Sequence, residues 1–198
     1  MLDLLDWRRR VADLYREVRA AADPAAGHEV WRLGRDDLLA HHPQTPLLPQ
    51  DRESFTGVDV APYDPALRFD AAVDTDVEPL AFSARTASDG DVPFSRIGTA
   101  HLPGLGSLDV WWLESYGGGV FVPVRDTAPD TYGGGRYLLD TVKGADLGGD
   151  VRSGHLVLDL NFAYNPSCAY SPAWTCPLAP AGNRLTVPLP GGERTRPC

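Results

Sequence analysis

The chain has 198 residues and carries 27 acidic against 18 basic side chains, a formal net charge of −9. That length suits one domain with a sizeable core, and 43% hydrophobic with 23% charged residues excludes wholesale disorder. With a pI near 4.9, no cationic surface is evident to displace phosphate counterions, which argues against a general nucleic-acid binder.

The N-terminal residues Met1-Leu2-Asp3-Leu4-Leu5-Asp6 lack a basic region followed by an apolar one, and no apolar run approaches the ~20 residues of a membrane span. The expectation is a cytoplasmic protein with no membrane partner. Residues 3–22 carry Trp7, Val11, Leu14, Tyr15 and Val18 at the spacing of an amphipathic helix. Asp23-Pro24 then supplies an N-cap and an N1 proline for a second helix to about residue 40, with Val30, Trp31, Gly34 and Leu38 as its inner stripe. His41-His42-Pro43 ends it. The paired histidines suit a helix C-terminus better than a metal site.

Beyond Pro43 the apolar period becomes two. Strands are predicted over 108–114, 120–125 and 155–162, with weaker candidates at 67–73, 80–85, 94–102, 136–141 and 184–189. Leu156, Leu158, Leu160 and Phe162 share one predicted face, opposite His155, Val157, Asp159 and Asn161. Short strands at hairpin spacing, in a chain with 20 glycines and 18 prolines, predict a mainly antiparallel, strongly curved or barrel-like β-sheet. The expected fold is α+β. It is one domain over 1–198, with a helical head at 1–42, a β-rich body at 43–198 and a proline-rich C-terminal loop at 165–183.

The tract Ser115-Tyr116-Gly117-Gly118-Gly119-Val120-Phe121 recurs sixteen residues later as Thr131-Tyr132-Gly133-Gly134-Gly135-Arg136-Tyr137. The two copies are expected side by side at one end of the sheet. No Lys-Ser/Thr follows either, so neither is a phosphate loop. They serve as permissive turns or allow close backbone approach to a ligand.

No Ser-His-Asp, Cys-His or zinc-ligand pattern is present, and no cofactor or metal is expected. Arg136 and Asp140 fall on one face of their predicted strand, as do Asp159 and Asn161. Such inward polar groups must be satisfied by one another, by water or by a bound anion. The candidate ligand-binding residues are Arg125, Arg136, Tyr137, Asp140, Asn161, Tyr164 and Asn165. Two readings stay open: a pocket for a small polar or anionic molecule, with or without hydrolytic chemistry, or a non-catalytic structural or protein-interaction domain. No pattern in the chain fixes an oligomeric state.

Cys168 and Cys176 lie eight apart, among Pro166, Pro172, Pro177 and Pro180. That spacing does not fit a CxxC motif. Packed thiols holding a rigid loop are the expectation, with a disulfide or a metal or nucleophile role as alternatives. Cys198 is expected to be readily alkylated.

The tracts Asn161-Phe162-Ala163-Tyr164-Asn165-Pro166-Ser167-Cys168-Ala169-Tyr170 and Thr131-Tyr132-Gly133-Gly134-Gly135-Arg136-Tyr137 resemble the bacterial and archaeal family catalogued as domain of unknown function 1684. The resemblance runs from His42-Pro43-Gln44-Thr45-Pro46-Leu47 to Gly192-Glu193. The family's usual turn between its aspartate-threonine and threonine-tyrosine elements carries a Gly and a Glu, and here it is shortened to Ala128-Pro129-Asp130. The resemblance implies a fold and no particular reaction.

Overall fold

The computed structural model of the chain describes residues 1–86 and 90–195, so the expectation for Cys198 falls outside the described residues. Helices α1 (Leu2–Ala20) and α2 (Pro24–His41) form the head, and a short α3 (Pro49–Arg52) follows. The Asp23 carboxylate accepts the Ala26 amide at 2.8 Å, capping α2 as its sequence predicts. The helices approach closely at Gly34, where a Cβ would stand 2.5 Å from Leu14 Cδ1. Tyr15 and Val18 of α1 and Trp31, Leu38 and Leu39 of α2 are buried.

Eight strands follow: β1 (Arg68–Asp74), β2 (Ala81–Thr86), β3 (Gly90–Leu102), β4 (Gly106–Leu113), β5 (Val120–Val124), β6 (Arg136–Asp140), β7 (Gly149–Asp150) and β8 (His155–Asp159). Their order is β6-β5-β4-β3-β1-β8-β7, with β2 added beside β3, and every pairing is antiparallel. The long β3 has its irregularity between Arg96 and Gly98. Its first half pairs with β2 and its second with β1. The sheet curls into a half-barrel. Tyr137 on edge strand β6 exchanges backbone hydrogen bonds of 2.8 and 2.9 Å with Tyr164, just past β8.

Leu102, Leu108, Val122, Leu138 and Leu158 pack with Tyr15 and Trp31 of the head in one core cluster, so helices and sheet share a single apolar interior. A second cluster, Phe94, Trp111, Phe121 and Tyr137, is almost wholly aromatic. Its rings meet edge-on or tilted at centroid separations near 5 Å.

Four sequence expectations need correcting. The predicted strand 155–162 stops at Asp159, because Leu160–Phe162 is a 3-10 turn. The Asp159 carboxylate takes the Asn161 amide at 3.1 Å and winds the chain out of the strand. Residues 184–189 form no strand beyond one parallel bridge between Arg184 and Arg125. Pro188 and Pro190 remove the donors that a ladder would need there.

The two glycine tracts lie at opposite ends of the β5–β6 pair, since each precedes its strand and the strands run antiparallel. Finally, Arg136 and Asp140 do not share a face. Register shifts between Val122 and Pro123, whose partners are Leu139 and Tyr137, leaving Leu138 as an extra residue. That one-residue bulge turns Asp140 to the side of Tyr137 and leaves Arg136 on the other.

Candidate functional site

A cleft of about 200 Å³ opens where the head meets the body. From α1 it takes Trp7, Val11, Leu14 and Tyr15, from α2 Trp31 and Arg35, and from β6 Tyr137 and Asp140. The loop after β8 adds Tyr164, Asn165, Tyr170 and Cys176. The α1 stripe faces inward, yet Trp7, Val11 and Leu14 stay half-buried because they line this opening.

A dense polar cluster forms one wall. Arg35 reaches the Glu193 carboxylate through Nη2 at 2.7 Å and through Nε at 2.9 Å. It also donates to the Asn165 carbonyl at 3.0 Å and the Tyr170 hydroxyl at 3.1 Å. Its guanidinium sits 4.9 Å from the Tyr164 ring centroid. Glu193 is buried and further bonded by Tyr170 Oη, by the Asn165 amide at 3.0 Å and by Asn165 Nδ2 at 3.2 Å. Burial pushes the Glu193 carboxyl up, while Arg35 and these donors pull it down. Across the cleft, Lys143 pairs with Asp140 at 2.9 Å, and that carboxylate raises the lysine's pKa. Arg35 and Lys143 therefore each have a carboxylate partner, while Arg8, also in the lining, is a third cation.

Burial holds the Tyr15, Tyr137 and Tyr164 phenols protonated, well above their usual range. Tyr137 donates to the Pro177 carbonyl at 2.6 Å. Two buried polar atoms of lining residues lack partners, the Tyr15 hydroxyl and Asn165 Oδ1. The Tyr15 side chain neighbours the Trp31 indole, whose N–H can only donate, so the phenol proton has no acceptor. Asn165 Nδ2 already faces two acceptors, Glu193 Oε1 and the Arg194 carbonyl at 3.1 Å. Those acceptors fix the orientation of the amide and leave Oδ1 as the orphan.

The cleft gathers Tyr137, Asp140, Tyr164 and Asn165, four of the residues singled out from sequence. The other three lie elsewhere. Arg136 is fully buried, bonded to Asp126 Oδ2 at 2.9 Å and to the carbonyls of Gly191, Glu193 and Leu189 at 2.6, 3.1 and 3.4 Å. Asn161, in the turn after β8, ties it to the loop before β1, taking the Asp64 amide at 2.9 Å and donating to the Asp64 carbonyl at 2.8 Å. Arg125 is exposed beside Arg184, in a separate surface depression.

Sequence reasoning passed over Tyr15 as a polar group, and over Arg35, Lys143, Tyr170 and Glu193 altogether as site residues. Arg35 follows Trp31 by one helical turn, which was the available signal. The adjacent histidines make separate contacts: His41 with Asp37 at 3.0 Å and His42 with Asp6 at 3.1 Å. Among the described residues no group of three or more His, Cys, Asp or Glu side chains is placed to hold a metal ion, and no helix is long and apolar enough to cross a membrane.

No curated protein matches the chain. It is similar to the solution NMR structure of an uncharacterised protein from Haloarcula marismortui, at 32% identity and a TM-score of 0.58, over 84% of this chain and 91% of that one. A family model described as a protein of unknown function, DUF1684, matches residues 53–194. The 42–47 segment, where the sequence resemblance begins, lies outside that span. The chain therefore belongs to the DUF1684 family of proteins of unknown function.

Proposed function

We propose that the protein binds a small amphipathic molecule in the head–body cleft. The observation that carries this reading is the pair of orphaned atoms, a donor on Tyr15 and an acceptor on Asn165, in the walls of one cavity. A buried polar group without a partner costs roughly 1–3 kcal/mol, so two in one cleft favour an occupant that satisfies both. A hydroxyl, carboxamide or carboxylic acid head supplies an acceptor and a donor together. The Trp7, Val11, Leu14 and Trp31 side chains offer its apolar body a matching wall.

The cations of the polar wall, Arg35 and Lys143, are both ion-paired, so a neutral polar head suits that wall better than a strong anion. Among the described residues no histidine lines the cleft, which favours binding over hydrolysis. The alternative, a structural or protein-interaction domain, draws its support from Arg136 and Asn161, whose hydrogen bonds run to the chain itself.

The test is a panel of small aromatic and branched aliphatic alcohols, amides and carboxylic acids, followed by amide NMR shifts. Binders should perturb Tyr15, Tyr164 and Asn165. Tyr15→Phe should weaken them by about tenfold, the equivalent of one hydrogen bond. A panel that perturbs none of these residues, or equal affinity in Tyr15→Phe, refutes the proposal.

A further inference from the structure

The loop that closes the cleft also carries two thiols the binding reading does not use. Cys168 and Cys176 are both free and half-buried, so they are neither a closed disulfide nor fully packed core thiols. Cys168 sits in the turn Ser167–Ala169. The Tyr132 hydroxyl, brought in by the glycine tract before β6, donates to its sulfur at 3.5 Å. Cys176 lies in the cleft wall, and its thiol has the largest influence on the Cys168 pKa. A hydroxyl donating to the sulfur is an arrangement that stabilises a thiolate.

We propose that Cys168 and Cys176 form a hydroperoxide-reactive dithiol, with Cys168 as the attacking thiolate and Cys176 as the resolving thiol. The Cys168 sulfur attacks the terminal peroxide oxygen and the O–O bond breaks. Cys168 becomes a sulfenic acid, and the departing oxygen takes one proton from water to leave as an alcohol or as water. The Cys176 thiol then attacks the sulfenic sulfur, forming the disulfide and releasing one water. Two thiols are oxidised by two electrons and one peroxide is reduced. A small dithiol reductant returns the pair to its starting state.

The electrostatics agree with these roles. Hydrogen bonds from Cys176 and Tyr132 bring the Cys168 pKa down to about 6, against the opposing effect of burial. Cys176 is pushed up, chiefly by its bond to Cys168, and keeps its proton. At pH 7 a thiol of that acidity is roughly nine-tenths ionised. Tyr132 is itself pushed up to about 12, so it remains a donor.

The test uses the full chain with Cys198→Ser, so that only the loop pair is read. Reduced protein treated with one equivalent of hydrogen peroxide should lose the mass of two hydrogens. Peptide mapping should place a Cys168–Cys176 bridge that dithiothreitol reverses. In Cys176→Ser, dimedone should trap a sulfenic acid at Cys168, whereas Cys168→Ser should leave Cys176 unlabelled. Without altering either loop cysteine, the pH profile of Cys168 alkylation should have its midpoint near 6, moving up by about one unit in Tyr132→Phe. Loop thiols that stay reduced while free cysteine in the same tube is oxidised would overturn the proposal. So would a Cys168 midpoint in the ordinary thiol range.

Discussion

Arg136 and Arg35 grip the same short segment around Glu193, Arg136 by its main chain and Arg35 by its carboxylate, and what surrounds the two grips differs. Arg136 gives both terminal nitrogens to Asp126 and to carbonyls of Leu189, Gly191 and Glu193, leaving only Nε without a partner. Arg35 is also ion-paired, but its neighbours Tyr15 and Asn165 keep atoms without a partner among the described residues. Main-chain carbonyls are fixed by the fold, so a guanidinium that meets them acts as a fastener. Side-chain partners arranged around a cavity leave surplus hydrogen-bonding capacity, and that surplus distinguishes a site from a joint.

Removing the fastener should have the largest effect. Arg136→Ala strands the buried Asp126 carboxylate and should cost roughly 3–5 kcal/mol in urea denaturation. A loss under about 1 kcal/mol would erase the contrast between the two arginines. On the open side the sign reverses: Tyr15→Phe deletes a buried hydroxyl that has no acceptor. The ligand-free protein should gain about 1 kcal/mol in the same assay. A loss of similar size would mean that the phenol is satisfied within the chain.

The smallest effect concerns His28, which belongs to the closed side of the head–body seam. It is buried beside Trp31, Tyr63 and Phe162, and its Nε2–H donates to the Asn161 carbonyl at 3.0 Å. Burial lowers its pKa below the ordinary 6.5. As pH falls below 6.5 the unfolded chain takes up this proton before the folded one, so stability declines with acidification. The slope contributed by His28 is at most about 1.4 kcal/mol per pH unit. His28→Gln should remove that contribution when unfolding free energies at pH 7 and pH 5.5 are compared. An unchanged difference would show that His28 titrates alike in both states.

Both long helices and most strands were legible, because their periodicities and caps are local. Asp23 caps α2 and the stripe through Tyr15 and Trp31 faces the core, as patterning requires. The β6 bulge was marked only by Pro123 of the partner strand, which does not say which residue of β6 is extra, and one extra residue reverses every face beyond it. The cleft was half legible. Tyr164 and Asn165 stood out in a tract too polar for packing alone, but Arg35 and Glu193 are 158 residues apart. Each reads locally as an ordinary surface charge, and only the curl of the sheet brings them together.

The segment from Leu189 to Thr195 has a consequence for how the molecule is made. Its backbone crosses three separate regions: Ala61 donates to the Gly192 carbonyl, while Glu193, Arg194 and Thr195 donate to Ala163, Asp59 and Asp130. During synthesis the helices and all eight strands are complete before these residues exist. Until they arrive, Arg35 lacks its carboxylate and Arg136 three of its four acceptor groups. Productive closure thus waits until residues 189–195 have been made, and a nascent chain stalled before them would expose two cations meant for the interior, a natural handle for chaperone retention.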